Sequence, residues 1–408
     1  MSSAGGRIVV TGLGVIDAAE CRSPQLGDAL KASAMRCSEV DRCGGYHLAE
    51  SARLAVLSGG VDLSQWISAA AGRRMSAPSK FAVAAARMAV ADAGALDPSG
   101  LRTAVVMSNA LGAVDYTERL LRTAILDGPT AVSPFTFTES VANAAAAQVA
   151  IACQAQGTNL TVVQREAGIL TAVGRGAAEV ASGRADIALV GGVEEMPPIM
   201  HALFDRMEAL ARPASDGGEV ARPFDRRRSG FIAAEGAVVL VLEDEERARS
   251  RGASIRARIR GFEGAFDPSA PRIGWGRGEA HLARALEGLF VRAGITPRDV
   301  GRIVSGASGA VAGDRLEAMT LRRTWQGVAL PPVLAPKGVT GQYGGGFLAA
   351  AVMAVAADEA AATGGFSEAE PELGVVPHTG GRLDPASLTL VTSLASGGAA
   401  SWLLMERV

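Results

Sequence analysis

Aromatic side chains are scarce in this 408-residue chain: Phe, Trp and Tyr together make up 4% of it. Lysine occurs at only three positions, Lys31, Lys80 and Lys337. The four cysteines, Cys21, Cys37, Cys43 and Cys153, form no CxxC pair. That spacing argues against a disulfide framework or a zinc site, and a reducing cytoplasm is the expected setting. The opening MSSAGGRIVVTGLGVI has no charged segment followed by a long apolar run, so no secretory signal is expected. A net charge of −2 gives no reason to expect a nucleic-acid partner. The longest apolar helical stretch, FLAAAVMAVAADEAAA from Phe347, is too short for a membrane span and is broken by Asp358 and Glu359. It reads as a core helix.

What is plentiful is small and apolar. Apolar residues make up 48% of the chain and glycine fills 50 positions, which suits helices packed closely on sheets and opposes disorder. The length calls for two domains or one large α/β unit. Short β-branched runs beside glycine predict strands at RIVVTG (from Arg7), TAVVMS (Thr103), TVVQ (Thr161), IALVGG (Ile187) and AVVLVLE (Ala237). Helical spacing predicts helices over SKFAVAAARMAVADAGAL, capped by Ser79 and stopped by Gly94, over TERLLRTAIL from Thr117, and over SVANAAAAQVAIACQA from Ser140. After about Gly252 a second set runs in the same strand-and-helix order, without a residue-level repeat. It comprises SIRARIRGFEG, GEAHLARALEGLFVRAG, RIVSGASGA, DRLEAMTLRRTW, KGVTGQYGGG, the alanine helix and LTLVTSLASGGAASWLLME. Two similar halves, residues 1–250 and 251–408, packed as an α-β-α-β-α body are the expected architecture. The polar RPASDGGEVARPFDRRRSG reads as an excursion over a site.

NLTVVQREAGILTAVGRGAAE, from Asn159 to Glu179, combines a strand, a tight polar turn and a small-residue helix. Many α/β enzymes mount a nucleophile on such a turn, where the side chain meets a helix N-terminus. Here the turn carries Glu166.

Taken in order, RIVVTGLGVI, DIALVGGVEE, ARPFDRRRSGFIAAEGAVVLVLE, GDRLEA, PKGVTGQYGG and SLASGGAA resemble the β-ketoacyl synthase family of the thiolase fold. The resemblance spans nearly the whole chain and implies a five-layered fold. A condensing member carries a cysteine in Cys-x-Ser-Gly-Leu-Asp-Ala, a histidine in His-Gly-Thr-Gly-Thr-Pro-x-x-Asp and a second in Lys-x-x-x-Gly-His. Laid over EAGILTA, the first pattern puts Glu166 at the cysteine, Gly168 at the serine and Ala172 at the final alanine. Laid over GASGAVAGD and KGVTGQ, the others put Gly306 and Gln342 at the histidines and keep Lys337. The Gly-Phe-Gly-Gly gate becomes ASGG, with Ser396 at the phenylalanine. Gln164 is the alternative register, and Ala172 favours Glu166. His47, His201, His281 and His378 fall outside the histidine loops, and no metal site is expected. Neither GRGEA nor GQYGGG fits a P-loop, so no nucleotide is expected.

With all three groups replaced, the chain resembles the chain length factors, the ketosynthase-like β subunits of type II polyketide synthases. Those usually carry glutamine followed by Ala-Gly-Gly-Leu-Asp-Ala, and Glu166 takes the glutamine's place here. The resemblance implies a non-catalytic heterodimer partner of an active ketosynthase α subunit. It implies no cofactor of its own: the growing chain rides on the phosphopantetheine arm of a transiently visiting acyl carrier protein. TVVQ would pair edge to edge with the partner. Tyr116, Thr117, Leu120, Leu121, Phe135 and Phe137 would set the depth of a tunnel at the interface, and for each of them plain packing is an equal alternative. Lys337, Asp314 and Glu317 are expected to form an ion network holding the two Gly-rich loops. Arg226–Arg228 reads as a solvated loop in preference to a carrier-protein patch.

Two further readings stand beside this one: a pseudo-subunit without a tunnel, and a stand-alone thiolase-fold enzyme using Glu166 as a base in decarboxylation or other acyl-thioester chemistry. Covalent use of Glu166 is not expected, because attack on a thioester would give an anhydride, a poor acyl store. Loss of even one oxyanion donor costs on the order of 3 kcal/mol, which also opposes catalysis. The plainest role for Glu166 is a carboxylate accepting backbone N–H groups at a helix start, worth roughly 0.3–1 kcal/mol.

Overall fold

The computed structural model describes residues 7–18, 23–213, 218–343 and 345–408; Cys21, residues 214–217 of the polar excursion and Gly344 lie outside them. The first part of the chain runs β1 (Ile8–Ile16), α1 (Ser23–Ala32), α2 (Ala77–Asp92), β2 (Thr103–Ser108), α3 (Val114–Leu126), α4 (Pro134–Ser140) and α5 (Ala144–Ala152). There follow β3 (Asn159–Val162), α6 (Gly168–Ala181), β4 (Ile187–Glu194), α7 (Pro198–Arg206) and β5 (Gly236–Asp244). The remainder runs β6 (Ala257–Phe266), α8 (Glu279–Ala293), β7 (Val300–Val304), α9 (Val311–Thr324), β8 (Val333–Leu334), α10 (Gly346–Ala356), β9 (Leu388–Leu394) and β10 (Ala399–Glu406).

These ten strands hydrogen-bond in the order β8-β7-β9-β10-β6-β1-β5-β4-β2-β3. β6 and β1 meet antiparallel in the middle. On either side of that junction lie five strands in one shared order, 3-2-4-5-1 counted within each group. Directions match too. The first group has β2 parallel to β3 and β4, then two antiparallel pairings. The second has β7 parallel to β8 and β9, then two antiparallel pairings. The repeat is one of topology.

Three apolar cores set the layers. α2 and α5 cover the outer face of the first strand group. α6 and α10 lie between the two groups. α8 and α9 cover the outer face of the second. The result is the α-β-α-β-α thiolase-like body. With both faces covered, strands are apolar throughout, and all nine residues of β1 are buried. The small-residue composition serves close approach: a Cβ at Gly14 would collide with the Ala85 carbonyl of α2.

α10 ends on a buried cation. The fully buried Arg302 donates to the carbonyls of Ala354, Ala357 (2.7 Å) and Asp384 (3.0 Å). These bonds cap the C-terminal end of the helix, where carbonyls lack i→i−4 partners and Ala354 accepts the Ala357 N–H besides the guanidinium. The alanine run therefore does not continue as helix: Glu359–Ala362 is a strand paired antiparallel with Thr379–Arg382. α2 likewise begins earlier than its Ser79 suggested. Ser76 is the cap, its hydroxyl accepting from the Ser79 N–H. No helix among the described residues is long and apolar enough to cross a membrane.

Candidate functional site

β3 leads through one 3-10 turn, Arg165–Ala167, into α6. The second half of the chain holds this turn in place. Ser393 Oγ on β9 donates to the Glu166 carbonyl at 2.7 Å, and Ser401 Oγ on β10 donates to that of Ala167 at 2.7 Å. Arg165 sits at φ +48°, a left-handed conformation that non-glycine residues seldom adopt.

Glu166, Gly306, Gln342 and Ser396 come from four separate segments and line one cleft of about 600 Å³. Gln164 is exposed and outside its walls. Met196, Met200, Phe204, Phe231, Trp275 and Leu394 supply apolar wall, while Glu194, Asp314 and Glu317 supply carboxyls. Ser229 and Gly230, at the end of the polar excursion, also reach the cleft.

Each of these four positions has its own local surroundings. At Gly306 a Cβ would stand 2.8 Å from the Thr392 carbonyl oxygen and 3.1 Å from Ser393 Cα, so no side chain fits the present backbone. Gln342 donates its backbone N–H to Ile232 at 2.8 Å, and its Oε1 is buried without a partner. Ser396 accepts from the Arg165 guanidinium at Oγ (2.7 Å) and at its carbonyl (3.0 Å). Glu166 borders the cleft, but its Oε2 is sealed from solvent and has no hydrogen-bond partner. Burial pushes the Glu166 carboxyl up from the ordinary glutamate value; its own backbone N–H, the charges of Lys337 and Arg165, and the Ser396 N–H oppose that rise.

The three residues expected to form an ion network are close but make no contact pairs. Asp314 accepts from the N–H groups of Phe224 (2.8 Å), Ser308 (3.0 Å) and Gly309 (3.1 Å). Glu317 accepts from the hydroxyls of Ser305 and Thr392. Lys337 is buried with its ammonium 4.8 Å from the Phe347 ring centroid. Backbone and hydroxyl donors have taken the carboxylate lone pairs, so Lys337 acts on them through space. Burial raises Asp314 to about 6 and Glu317 to about 7, and it lowers Lys337.

Three features escaped the sequence reading. Glu194, at the end of β4, accepts from the Ala110 and Leu111 N–H groups, and burial raises it to about 8. An acid following the apolar run IALVGGV was the available signal. Arg165 ties the Glu166 turn to the Ser396 loop, and nothing in the sequence marks its left-handed backbone. His47 and His201 are isolated in sequence yet hydrogen-bonded, ring nitrogen to ring nitrogen, at 3.0 Å. Among the described residues no group of three or more His, Cys, Asp or Glu could hold a metal ion.

The arginine triad is ion-paired, but Arg226 and Arg227 stay exposed as the solvated-loop reading expects, and only Arg228 is nearly buried. Arg226 pairs with Glu368 at 2.9 Å, Arg227 approaches Asp225 at 3.6 Å, and the nearly buried Arg228 pairs with Glu370 at 2.7 Å. Glu368 and Glu370 of the same chain pair with the first and last of the run. The six tunnel candidates do not line the cleft. Tyr116, Thr117 and Leu120 are half-buried on α3. Leu121, Phe135 and Phe137 are 52%, 68% and 58% exposed, which places them on the outer surface of this chain.

The family description "Beta-ketoacyl synthase, N-terminal domain" matches residues 6–248. This chain belongs to the β-ketoacyl synthase family. It is 30% identical over 413 residues to the "Putative polyketide beta-ketoacyl synthase 2" of Streptomyces coelicolor, covering 98% of this chain and 95% of that protein. It is 27% identical over 416 residues to 3-oxoacyl-[acyl-carrier-protein] synthase 2 of Vibrio cholerae, covering 98% and 99%. Among solved structures it superposes on "The ishigamide ketosynthase/chain length factor" with a TM-score of 0.88, at 28% identity, over 99% of this chain and 100% of that one. For a β-ketoacyl synthase, this cleft has an unusual wall. Among the described residues it is lined by no cysteine and no histidine.

Proposed function

We propose that this β-ketoacyl synthase homologue is a non-condensing subunit. In this reading it pairs with an active ketosynthase and sets the length of the acyl chain growing in a tunnel at their interface. One observation carries the reading: an unpaired sheet edge lies beside a broad apolar surface, on a chain whose nucleophile turn holds a carboxyl. β3 ends the sheet, with Leu160 and Val163 exposed. α3, α4 and α5 expose Leu121, Ile125, Leu126, Phe135, Phe137 and Ile151. Exposed apolar side chains on neighbouring elements favour an interaction site, and a bare strand edge calls for a partner. The likeness to a solved ketosynthase/chain length factor supports the same reading. The acyl chain would arrive on the phosphopantetheine arm of an acyl carrier protein.

Stand-alone chemistry is not favoured. A base alone, without a nucleophile or a histidine pair in the cleft, leaves the charge developing on a thioester without its usual stabilisers. The test is product length. Phe137→Ala and Leu121→Ala, each coexpressed with the cognate ketosynthase and carrier protein, should lengthen the product by whole extension units. Unchanged length in both, with normal product yield, would reject these residues as the depth setters.

A further inference from the structure

Residues 41–52 connect two short paired strands, Ser38–Glu39 and Leu54–Val56, and polar contacts pin this connection on two sides. Towards α3, Tyr46 Oη donates to Glu118, and Arg122 donates to Tyr46 Oη at 3.4 Å. Towards α7, the Ala52 N–H donates to Asp205 at 3.0 Å, and His47 Nε2 meets His201 Nδ1 at 3.0 Å. Met200, Leu203 and Phe204 of α7 line the cleft. The connection therefore ties one wall of the cleft to α3.

The histidine contact has one consistent set of tautomers. His201 Nε2 lies 3.2 Å from the Leu54 carbonyl oxygen, which can only accept, so that nitrogen carries the proton. Neutral His201 then presents a lone pair at Nδ1, and His47 donates to it through Nε2–H. The His47 Nδ1 is left bare, and it is buried without a partner. A proton added at either lone pair is costly. On His201 Nδ1 it sets two N–H groups face to face, and on His47 Nδ1 it buries a donor with no acceptor. Arg42, from the connection itself, opposes added charge on both rings, and Asp205 of α7 favours it.

We propose that residues 41–52 form a pH-sensitive strap: with His47 and His201 both neutral it fastens α7 to α3, and protonation of the pair releases it. Histidine is the side chain whose charge changes in the mildly acidic range, and a pair joined ring to ring holds only while one ring donates and the other accepts. Burial lowers both rings from the ordinary histidine value, so the strap is fully fastened above about pH 6.5 and opens as pH falls below it. Opening frees the α7 wall of the cleft from α3. The device does not depend on whether the chain condenses acyl units or pairs with a ketosynthase.

The experiment is amide hydrogen exchange across residues 43–51 at about pH 7.5 and about pH 5.5, corrected for intrinsic rates. The full chain is used, with a ketosynthase partner if it is soluble only as a complex. In wild type, protection there should fall roughly tenfold on acidification. The buried acids make the fold as a whole firmer over the same interval, so a loss confined to the strap is local. In His47→Gln the side-chain amide can turn either its N–H or its oxygen towards His201, which suits both protonation states, so protection should persist at both pH values. His47→Ala, with no contact to break, should exchange at both pH values as fast as acidified wild type. Wild-type protection that does not change with pH overturns the proposal. So does a Gln variant that loses protection as wild type does, or an Ala variant that keeps wild-type protection at the higher pH.

Discussion

Arg165 reaches from the turn that carries Glu166 to the facing loop, where its guanidinium donates to Ser396 at Oγ (2.7 Å) and at the carbonyl (3.0 Å). Its other terminal nitrogen donates to the Arg272 carbonyl at 3.3 Å. One exposed side chain thus joins three loops at the mouth of the cleft. Arg165→Ala should speed amide hydrogen exchange across 396–398 roughly tenfold, about 1.4 kcal/mol of local stability, with little change in the global midpoint. Unchanged exchange there would mean that the loop is held by its own backbone.

The buried Arg302 predicts a larger effect. Arg302→Met keeps the packing of the side chain but removes the guanidinium donor from the carbonyls of Ala354, Ala357 and Asp384, of which Ala354 still accepts the Ala357 N–H. Loss of a buried charged donor should destabilise the fold by about 3 kcal/mol in chemical denaturation. A loss below about 1 kcal/mol would show that water replaces the guanidinium.

Restoring a histidine at position 306 should fail for a steric reason. With the would-be Cβ at 2.8 Å from the Thr392 carbonyl, Gly306→His must displace β9 or its own loop. It should cost on the order of 2 kcal/mol, and Gly306→Ala a measurable part of that. Equal thermal midpoints for wild type and both variants would show that the loop yields freely.

The buried acids give the pH dependence its sign. Glu194 is raised to about 8, Glu195 and Glu317 to about 7, and Asp314 to about 6, each chiefly by burial. An acid whose folded pKa exceeds its unfolded value gives stability that is fully present below the unfolded pKa, near 4. That stability is lost as pH rises through the folded pKa. Stability should therefore fall between about pH 5 and pH 8. Glu194→Gln keeps an oxygen for the Ala110 and Leu111 N–H groups and removes one titration. It should flatten that slope and stabilise the protein at pH 8 by on the order of 2 kcal/mol relative to wild type. An unaltered slope from urea denaturation at the two pH values would rule Glu194 out as a contributor. His47 and His201 act in the opposite sense: burial lowers both, so their contribution is lost as pH falls below about 6.5.

Fold and site differed in how far the sequence revealed them. β-branched runs beside glycine mark β1, β2, β4 and β5 because strands buried on both faces must be apolar throughout. The motif order was enough to bring Glu166, Gly306, Gln342 and Ser396 into one cleft. Contacts between distant segments were not legible. His47 and His201 meet only through the packing of α7, and Arg226 and Arg228 pair with Glu368 and Glu370 from far along the chain. The ion network expected of Lys337, Asp314 and Glu317 ignored competition from other donors: backbone N–H groups occupy the Asp314 carboxylate and hydroxyls that of Glu317.

The central claim is that this chain is one half of a functional pair. Native mass spectrometry of the chain expressed alone and with the ketosynthase from its own gene neighbourhood tests it most directly. A one-to-one complex is expected on coexpression, with poor solubility or a homodimer when the chain is alone. A stable, soluble homodimer that binds no ketosynthase offered to it would contradict the account and turn attention to Glu166 as a catalyst.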